Sequence, residues 1–273
     1  MRQERMMGIF SEDQMEIYYE RGQDYGHSGD PLLFISGTGG DLRNKPNQFD
    51  SPLAKVFELI AYDQRGLGQT SKPDGDYTMA DYADDAAALL DYLNLDRVPV
   101  VGVSFGGMVG QEFVLRHPDR VSKLVLACTS SGGQGRSSYP LHEIEELEPY
   151  KRAAMHLQVS DLRRDKVWQK ENPEKWEQYI QMSISARRSD RHAEGAMKQL
   201  MARKNHDTYD RLSQIKAPVL LLGGKFDGVA PVENMQAIAD QIESSEIRFY
   251  EGGHMFLVQD KKAYPEMIEW LMD

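Results

Sequence analysis

The chain has 273 residues, 40% of them hydrophobic and 27% charged, which is the balance of a soluble globular protein with one sizeable domain. Its net charge of −11 disfavours nucleic acid or an anionic membrane as the main partner. The one cysteine, Cys128, excludes an internal disulfide and suits a reducing, cytoplasmic setting.

The first residues, Met1 to Gly8, are followed by acidic residues rather than an apolar core, so no signal peptide is expected. Met15–Glu20 alternates like a half-exposed strand, and turn residues follow through Ser28-Gly-Asp-Pro31. Four β-rich runs are then predicted, at Leu32–Ser36, Phe57–Tyr62, Val98–Val103 and Leu124–Ala127. Between the second and third, Met79–Leu95 has helical spacing. Tyr82, Ala86, Leu89, Leu90 and Leu93 share one face, while Asp81, Asp84, Asp85 and Asp91 lie mostly off it. Thr78 is the expected N-cap, with acidic residues in the first turn. A second helix should follow Ser104 and stop near His117-Pro118.

From about Gly132 to Asp210 the alternation stops. The stretch is charged and helix-favouring, and it contains no convincing strand. It reads as an inserted helical cap at 132–210, which divides a core of residues 1–131 and 211–273. Alternation resumes at Ala217–Gly223, with a helix from Val232, a strand at Glu246–Tyr250 and a closing amphipathic helix. No run is long enough to span a bilayer; Val219–Leu222 is typical. Nearly all-apolar strands separated by helices argue for an α/β fold whose mostly parallel, doubly wound sheet is covered on both faces.

The most informative segment is Gly102-Val-Ser104-Phe-Gly106, at the junction of a predicted strand and a predicted helix. A Ser at such a turn is pushed into solvent, and the glycines admit the strained backbone and close helix packing. By itself G-x-S-x-G turns up by chance in roughly one chain in ten of this length, so the partners decide. A serine hydroxyl needs a base, and imidazole suits that task near neutral pH. His254 follows a predicted strand in Glu251-Gly-Gly-His254, where two glycines let it swing over the sheet edge. His27, His117, His142, His156 and His192 fit turn, helix-end or cap roles better; His206 is less easily set aside, since the cap could reach the site.

The acid that orients the imidazole is expected at Asp227, just past Val219-Leu-Leu-Leu222, where groups at the carboxyl ends of strands gather. Asp63 is its rival, but it precedes the nucleophile, and a turn-stabilising ion pair with nearby Arg65 fits it better. The Phe105 N–H, just after the nucleophile, and the Thr38 N–H, in Ser36-Gly-Thr-Gly-Gly40, are the candidate oxyanion donors.

Ser36-Gly37, Tyr62-Asp-Gln-Arg-Gly-Leu-Gly68, Gly102–Gly106, His117-Pro-Asp-Arg-Val121, Asp227 and Gly253-His254 together resemble the α/β-hydrolase fold superfamily over nearly the whole chain. The nearest resemblance is to the compact group of 3-oxoadipate enol-lactonases, small esterases and cofactor-free haloperoxidase-like perhydrolases. It implies a sheet of about eight strands, a cap after the sixth strand, and a Ser-His-Asp serine hydrolase that forms an acyl-enzyme. Ser36 departs from the His that many relatives carry there, which bears on the shape of the oxyanion loop.

Ser104 argues against a haloalkane dehalogenase, which would carry Asp, and Gly102-Val-Ser-Phe lacks the Gly-Gly-Ser-Trp of proline iminopeptidases. Carbon–carbon bond hydrolases and perhydrolases share the triad and remain open, as does a ligand receptor with little turnover. Arg136, Arg152, Arg163, Arg164, Arg187 and Arg188 are candidates to bind a substrate carboxylate, although cap arginines are usually solvated. A dinucleotide fingerprint starting at Gly37 fails at Leu42, and no phosphate-loop motif occurs. There is no H-E-x-x-H or Cys/His cluster, so neither metal nor cofactor is expected. The expected partner is a small ester or lactone, with no nucleic acid and no membrane, acting on a monomer or homodimer.

Overall fold

The computed structural model describes residues 6–12, 15–22, 29–185 and 190–273. Its strands are β1 (Met6–Glu12), β2 (Met15–Gly22), β3 (Pro31–Ile35), β4 (Glu58–Tyr62), β5 (Val98–Val103), β6 (Val121–Ala127), β7 (Val219–Gly224) and β8 (Ser245–Tyr250). They form one sheet in the order β1-β2-β4-β3-β5-β6-β7-β8. β1–β2 and β2–β4 are antiparallel pairs, and every other pairing is parallel.

Period-two geometry sends alternate residues of each parallel strand to opposite faces. Leu33, Ile35, Val100, Leu124 and Leu221 enter one core, while Leu32, Phe34, Val101, Val125 and Leu222 enter the other. α1 (Met79–Tyr92) and α2 (Phe105–Arg116) cover the first face. Burial on both sides is why these strands read as unbroken apolar runs.

The predicted face of α1 is the buried one: Tyr82, Ala86, Leu89 and Leu90 are fully enclosed. Each such leucine contributes about 1.5–3 kcal/mol relative to exposure. Thr78 caps the helix in a reciprocal pair, accepting from Asp81 N–H while the Asp81 carboxylate accepts from Thr78 N–H. Asp85 differs from expectation. It is buried against the Arg65 guanidinium, which donates to both its oxygens at 2.7 and 2.6 Å. A bidentate cation makes the buried carboxylate tolerable.

β1 is the strand that the sequence does not announce. Met6, Met7 and Ile9 face solvent on the sheet edge while Phe10 is buried, so no hydrophobic alternation marks it.

Between β6 and β7 the chain is helical: α3 (Leu141–Ile144), α4 (Pro149–Ser160), α5 (Lys166–Glu171), α6 (Pro173–Ser185) and α7 (Asp190–Lys204). Among the described residues the β contact there is a bridge between Gly132 and Asp207. After β7 come α8 (Val232–Ala239), on the α1–α2 face, and α9 (Phe256–Gln259) and α10 (Ala263–Met272), which seal the opposite face with Phe256, Met267 and Trp270. Among the described residues no helix is long and apolar enough to cross a membrane.

The strand order locates the functional crevice. From β3 the chain steps outward to β4, then crosses back to the other side of β3 to form β5. Helices diverge from such a switch point, so a crevice opens beyond the carboxyl ends of β3 and β5. The glycine loop follows β3, and Ser104 follows β5.

Candidate active site

Ser104 sits between β5 and α2 with φ +56° and ψ −115°, a backbone conformation that L side chains rarely adopt. The glycines around it explain how the turn is held. A Cβ on Gly102 would lie 2.4 Å from Gly106 O, and one on Gly106 would lie 2.0 Å from Ile35 O. Neither obstacle can rotate away, because both are backbone. Gly106→Ala is therefore expected to destabilise the protein by about 3 kcal/mol or more, at the upper end for overpacking. Gly110→Ala is the control, since its added Cβ meets nothing nearer than Leu124 Cδ1 at 3.4 Å. Thermal melts should show a marked fall for the first variant and little change or a rise for the second.

His254 reaches Ser104 from the loop after β8. Its Nε2 lies 2.9 Å from Ser104 Oγ, and its Nδ1 lies 2.8 Å from Asp227 Oδ2. The carboxylate can only accept, so Nδ1 carries the proton and Nε2 offers its lone pair to the serine O–H. Asp227 is buried, and its other oxygen accepts from Val229 N–H at 2.7 Å and Ala230 N–H at 3.0 Å. The loop holding His254 is tied to the helical segment: Ser160 O, at the end of α4, accepts from His254 N–H at 2.6 Å, and Val159 O accepts from Gly228 N–H.

The loop after β3 comes beside the serine, since a Cβ on Gly37 would lie 3.4 Å from Ser104 Cβ. Thr38 is the next residue, and Phe105 N–H is the first amide of α2, which has no partner inside the helix. Three glutamines brace this loop. Gln48 donates to Ser36 Oγ, Gln64 donates to Ser36 O at 2.6 Å, and Gln199 of α7 accepts from Gly39 N–H at 2.8 Å. Ser36 therefore keeps a side-chain anchor where many relatives have His.

The sequence model of the alpha/beta hydrolase fold family matches residues 30–261. The chain belongs to this family. It is 30% identical to a poly(3-hydroxyalkanoate) depolymerase of Ectopseudomonas oleovorans, with 87% of this chain and 82% of that protein covered. It is 25% identical to 3-oxoadipate enol-lactonase 2 of Acinetobacter baylyi over 91% of each. The solved enol-lactonase of Burkholderia xenovorans superposes with a TM-score of 0.76 at 18% identity, covering 97% of this chain and 99% of that one, a likeness of fold.

Several other candidate residues of this alpha/beta hydrolase stand elsewhere. Asp63 makes no ion pair with Arg65, contrary to expectation, because Arg65 is taken by Asp85 and Asp81. Asp63 instead accepts from Leu42 N–H at 2.7 Å and Gln69 N–H at 2.8 Å, and burial pushes its carboxyl up to about 6. His117 bonds Asp84. Arg163 is paired with Asp161, Arg152 donates to Glu145 O, Arg164 donates to Leu157 O, and Arg136 is exposed. His27, Arg187, Arg188 and the His192 side chain lie outside the described residues.

Cys128 Sγ, an Asp227 oxygen and a His254 nitrogen lie within 4.8 Å of one another. Burial pushes the Cys128 thiol well up, so it stays protonated, and the other two already bond each other. A protonated thiol beside an Asp227–His254 hydrogen bond does not suit a ligand set.

His206 is buried beyond the triad geometry, with burial pulling it down to about 3 from an ordinary 6.5. The unfolded chain regains the ordinary value, so below pH 6.5 it binds a proton that the folded state refuses. Stability from this residue is full above pH 6.5 and declines as the pH falls towards 3. The loss is about 3 kcal/mol by pH 4. Urea midpoints should fall over that range, and His206→Gln should flatten part of the slope.

Proposed function

We propose that this alpha/beta hydrolase cleaves a small carboxylic ester or lactone through an acyl-enzyme on Ser104. The observation that carries the reading is the chain from Ser104 Oγ to His254 Nε2 at 2.9 Å and from His254 Nδ1 to Asp227 Oδ2 at 2.8 Å. Both distances suit proton transfer and tautomer control.

Ser104 Oγ attacks the acyl carbon as its proton passes to His254 Nε2. Asp227 steadies the resulting imidazolium, and the Phe105 and Thr38 N–H groups bind the oxyanion. Collapse expels the alcohol, which takes the proton from His254. Water then attacks the acyl-enzyme, giving its proton to His254, and the acid leaves as Ser104 recovers its hydrogen. In a lactone the ring oxygen, protonated by His254, stays joined to the acyl chain throughout, so the second step releases a single hydroxy acid.

Residues 132–210 serve as a cap over this site, with α4 and α7 gripping the His254 and Thr38 loops. The names of the two relatives, a poly(3-hydroxyalkanoate) depolymerase and an enol-lactonase, both refer to ester linkages and support the same bond class.

A panel of p-nitrophenyl esters of graded acyl length, run beside enol-lactones, tests the reading. Turnover with burst kinetics and fluorophosphonate labelling at Ser104 is expected. Labelling without turnover of any ester or lactone would instead favour the receptor reading.

A further inference from the structure

A cavity of about 160 Å³ lies where the loop after β6 meets the end of α7, lined among others by Ser130, Ser137, His142, Arg203, Lys204 and His206. Ser130, His206 and Arg203 are only 1%, 4% and 6% exposed. Each keeps a buried polar atom without a hydrogen-bond partner among the described residues: Ser130 Oγ, His206 Nδ1 and Arg203 Nε. Protein interiors pair nearly all such atoms, so three around one cavity mark a place built for a polar guest.

The charge balance says which guest. Arg203 Nη1 donates to Tyr139 O at 2.7 Å, but that acceptor is neutral. Among the described residues, the carboxylate whose charge bears on Arg203 is Asp227, already engaged by His254 and two N–H groups. A buried guanidinium without its own anion is unfavourable, and burial accordingly pulls Arg203 down to about 10. Lys204 is exposed at the same cavity and adds a second positive charge. His206, held neutral by burial, offers an N–H or a lone pair without adding charge.

We propose that this cavity is a binding pocket for a small carboxylate, held by Arg203 Nε–H and the Ser130 hydroxyl. Its volume is below the roughly 300–1,000 Å³ of a whole-ligand site, so it takes the charged end of a molecule. It adjoins the nucleophile turn: Thr129, next to Ser130, donates through Oγ1 to Ser104 O at 2.8 Å. The carboxylate belongs either to an ester substrate, which rests on the hydrolase reading above, or to a free acid. Arg203 stood outside the arginines that the sequence singled out, because nothing in Met201-Ala-Arg-Lys204 distinguishes a buried cation from a solvated one.

The test uses the Ser104→Ala full-length chain, so that binding is read without turnover. Succinate titrated against sodium chloride of matched ionic strength should give saturable amide NMR shifts confined to residues 130–142 and 200–206. Adding Arg203→Lys should weaken succinate by about tenfold or more, and Ser130→Ala by about threefold to tenfold, as expected for losing charge-assisted hydrogen bonds. No saturable response beyond that of chloride, or equal binding in both variants, overturns the proposal.

With Ser104 intact, Arg203→Lys should raise KM for a succinate monoester several-fold more than KM for a neutral butyrate ester if the substrate supplies the carboxylate. Inhibition by succinate that weakens in Arg203→Lys, with both esters equally affected, assigns the pocket to a free acid. Succinate binding in a chain that turns over none of the graded p-nitrophenyl esters or enol-lactones would retain the pocket and reject the hydrolase reading.

Discussion

Ser104→Ala and His254→Ala are each expected to lower kcat on a p-nitrophenyl ester by on the order of 10⁶, the scale measured for nucleophile and base in another serine hydrolase. The geometry explains why either loss is nearly total. Among the described residues, the base within reach of Ser104 Oγ is His254 Nε2 at 2.9 Å, and a serine hydroxyl is a poor nucleophile until that proton is taken. Without His254 the hydroxyl remains but is not activated; without Ser104 the imidazole has nothing to deprotonate except water. The double variant should therefore be about as slow as either single one, because the two act as a unit. Fluorophosphonate labelling separates them: Ser104→Ala should not label at all, whereas His254→Ala should label slowly at an intact serine. Both should melt close to the parent, since Ser104 Oγ and the His254 ring are only partly buried and no helix or strand hangs on them. Activity within tenfold of the parent in either variant would reject the assignment.

Much of this arrangement could be read without coordinates, for physical reasons that differ by residue. β5, β6 and β7 are buried on both faces, so their apolar runs stand out, and α1 exposes one side only, so its period does too. Gly102 and Gly106 are legible because their spacing answers a local constraint, the close approach of a strand, a turn and a helix. What stayed hidden depends on partners far away in the chain. β1 has no alternation because Met6, Met7 and Ile9 face solvent at an edge although Phe10 is buried. Asp85 looks like a surface charge on α1 until Arg65, twenty residues earlier, is seen to bury with it. Gln199 bracing Gly39, and Ser160 accepting from His254 N–H, join segments that have no periodic or spacing relation. Arg65 also misdirected the account of Asp63: adjacency in sequence suggested an ion pair, whereas the chain turns Arg65 towards α1 and leaves Asp63 to the backbone N–H groups of Leu42 and Gln69.

Asp227→Asn should lower kcat by about 10⁴ at neutral pH while leaving the fold intact. The backbone dictates this outcome through the orientation of the new amide. Asp227 Oδ1 accepts from both Val229 and Ala230 N–H groups, so an asparagine must keep its carbonyl oxygen there and turn its NH₂ towards His254. That NH₂ donates to Nδ1, where Asp227 Oδ2 accepted before, and forces the proton onto Nε2. Nε2 then faces Ser104 Oγ as a donor and cannot act as its base. Because the two N–H groups stay satisfied, the stability cost should be small, and the defect should be catalytic. Asp63→Asn is the matched comparison with the opposite expectation. Both Asp63 oxygens accept backbone N–H groups, so an amide nitrogen must oppose one of them, costing about 1–3 kcal/mol. Its kcat should fall far less than that of Asp227→Asn, since among the described residues Asp63 makes no bond to His254. Urea titration and initial rates on the same two variants thus move in opposite senses, one losing rate and the other stability. If Asp63→Asn instead carried the 10⁴-fold rate loss, Asp63 rather than Asp227 would be the acid that holds the imidazole.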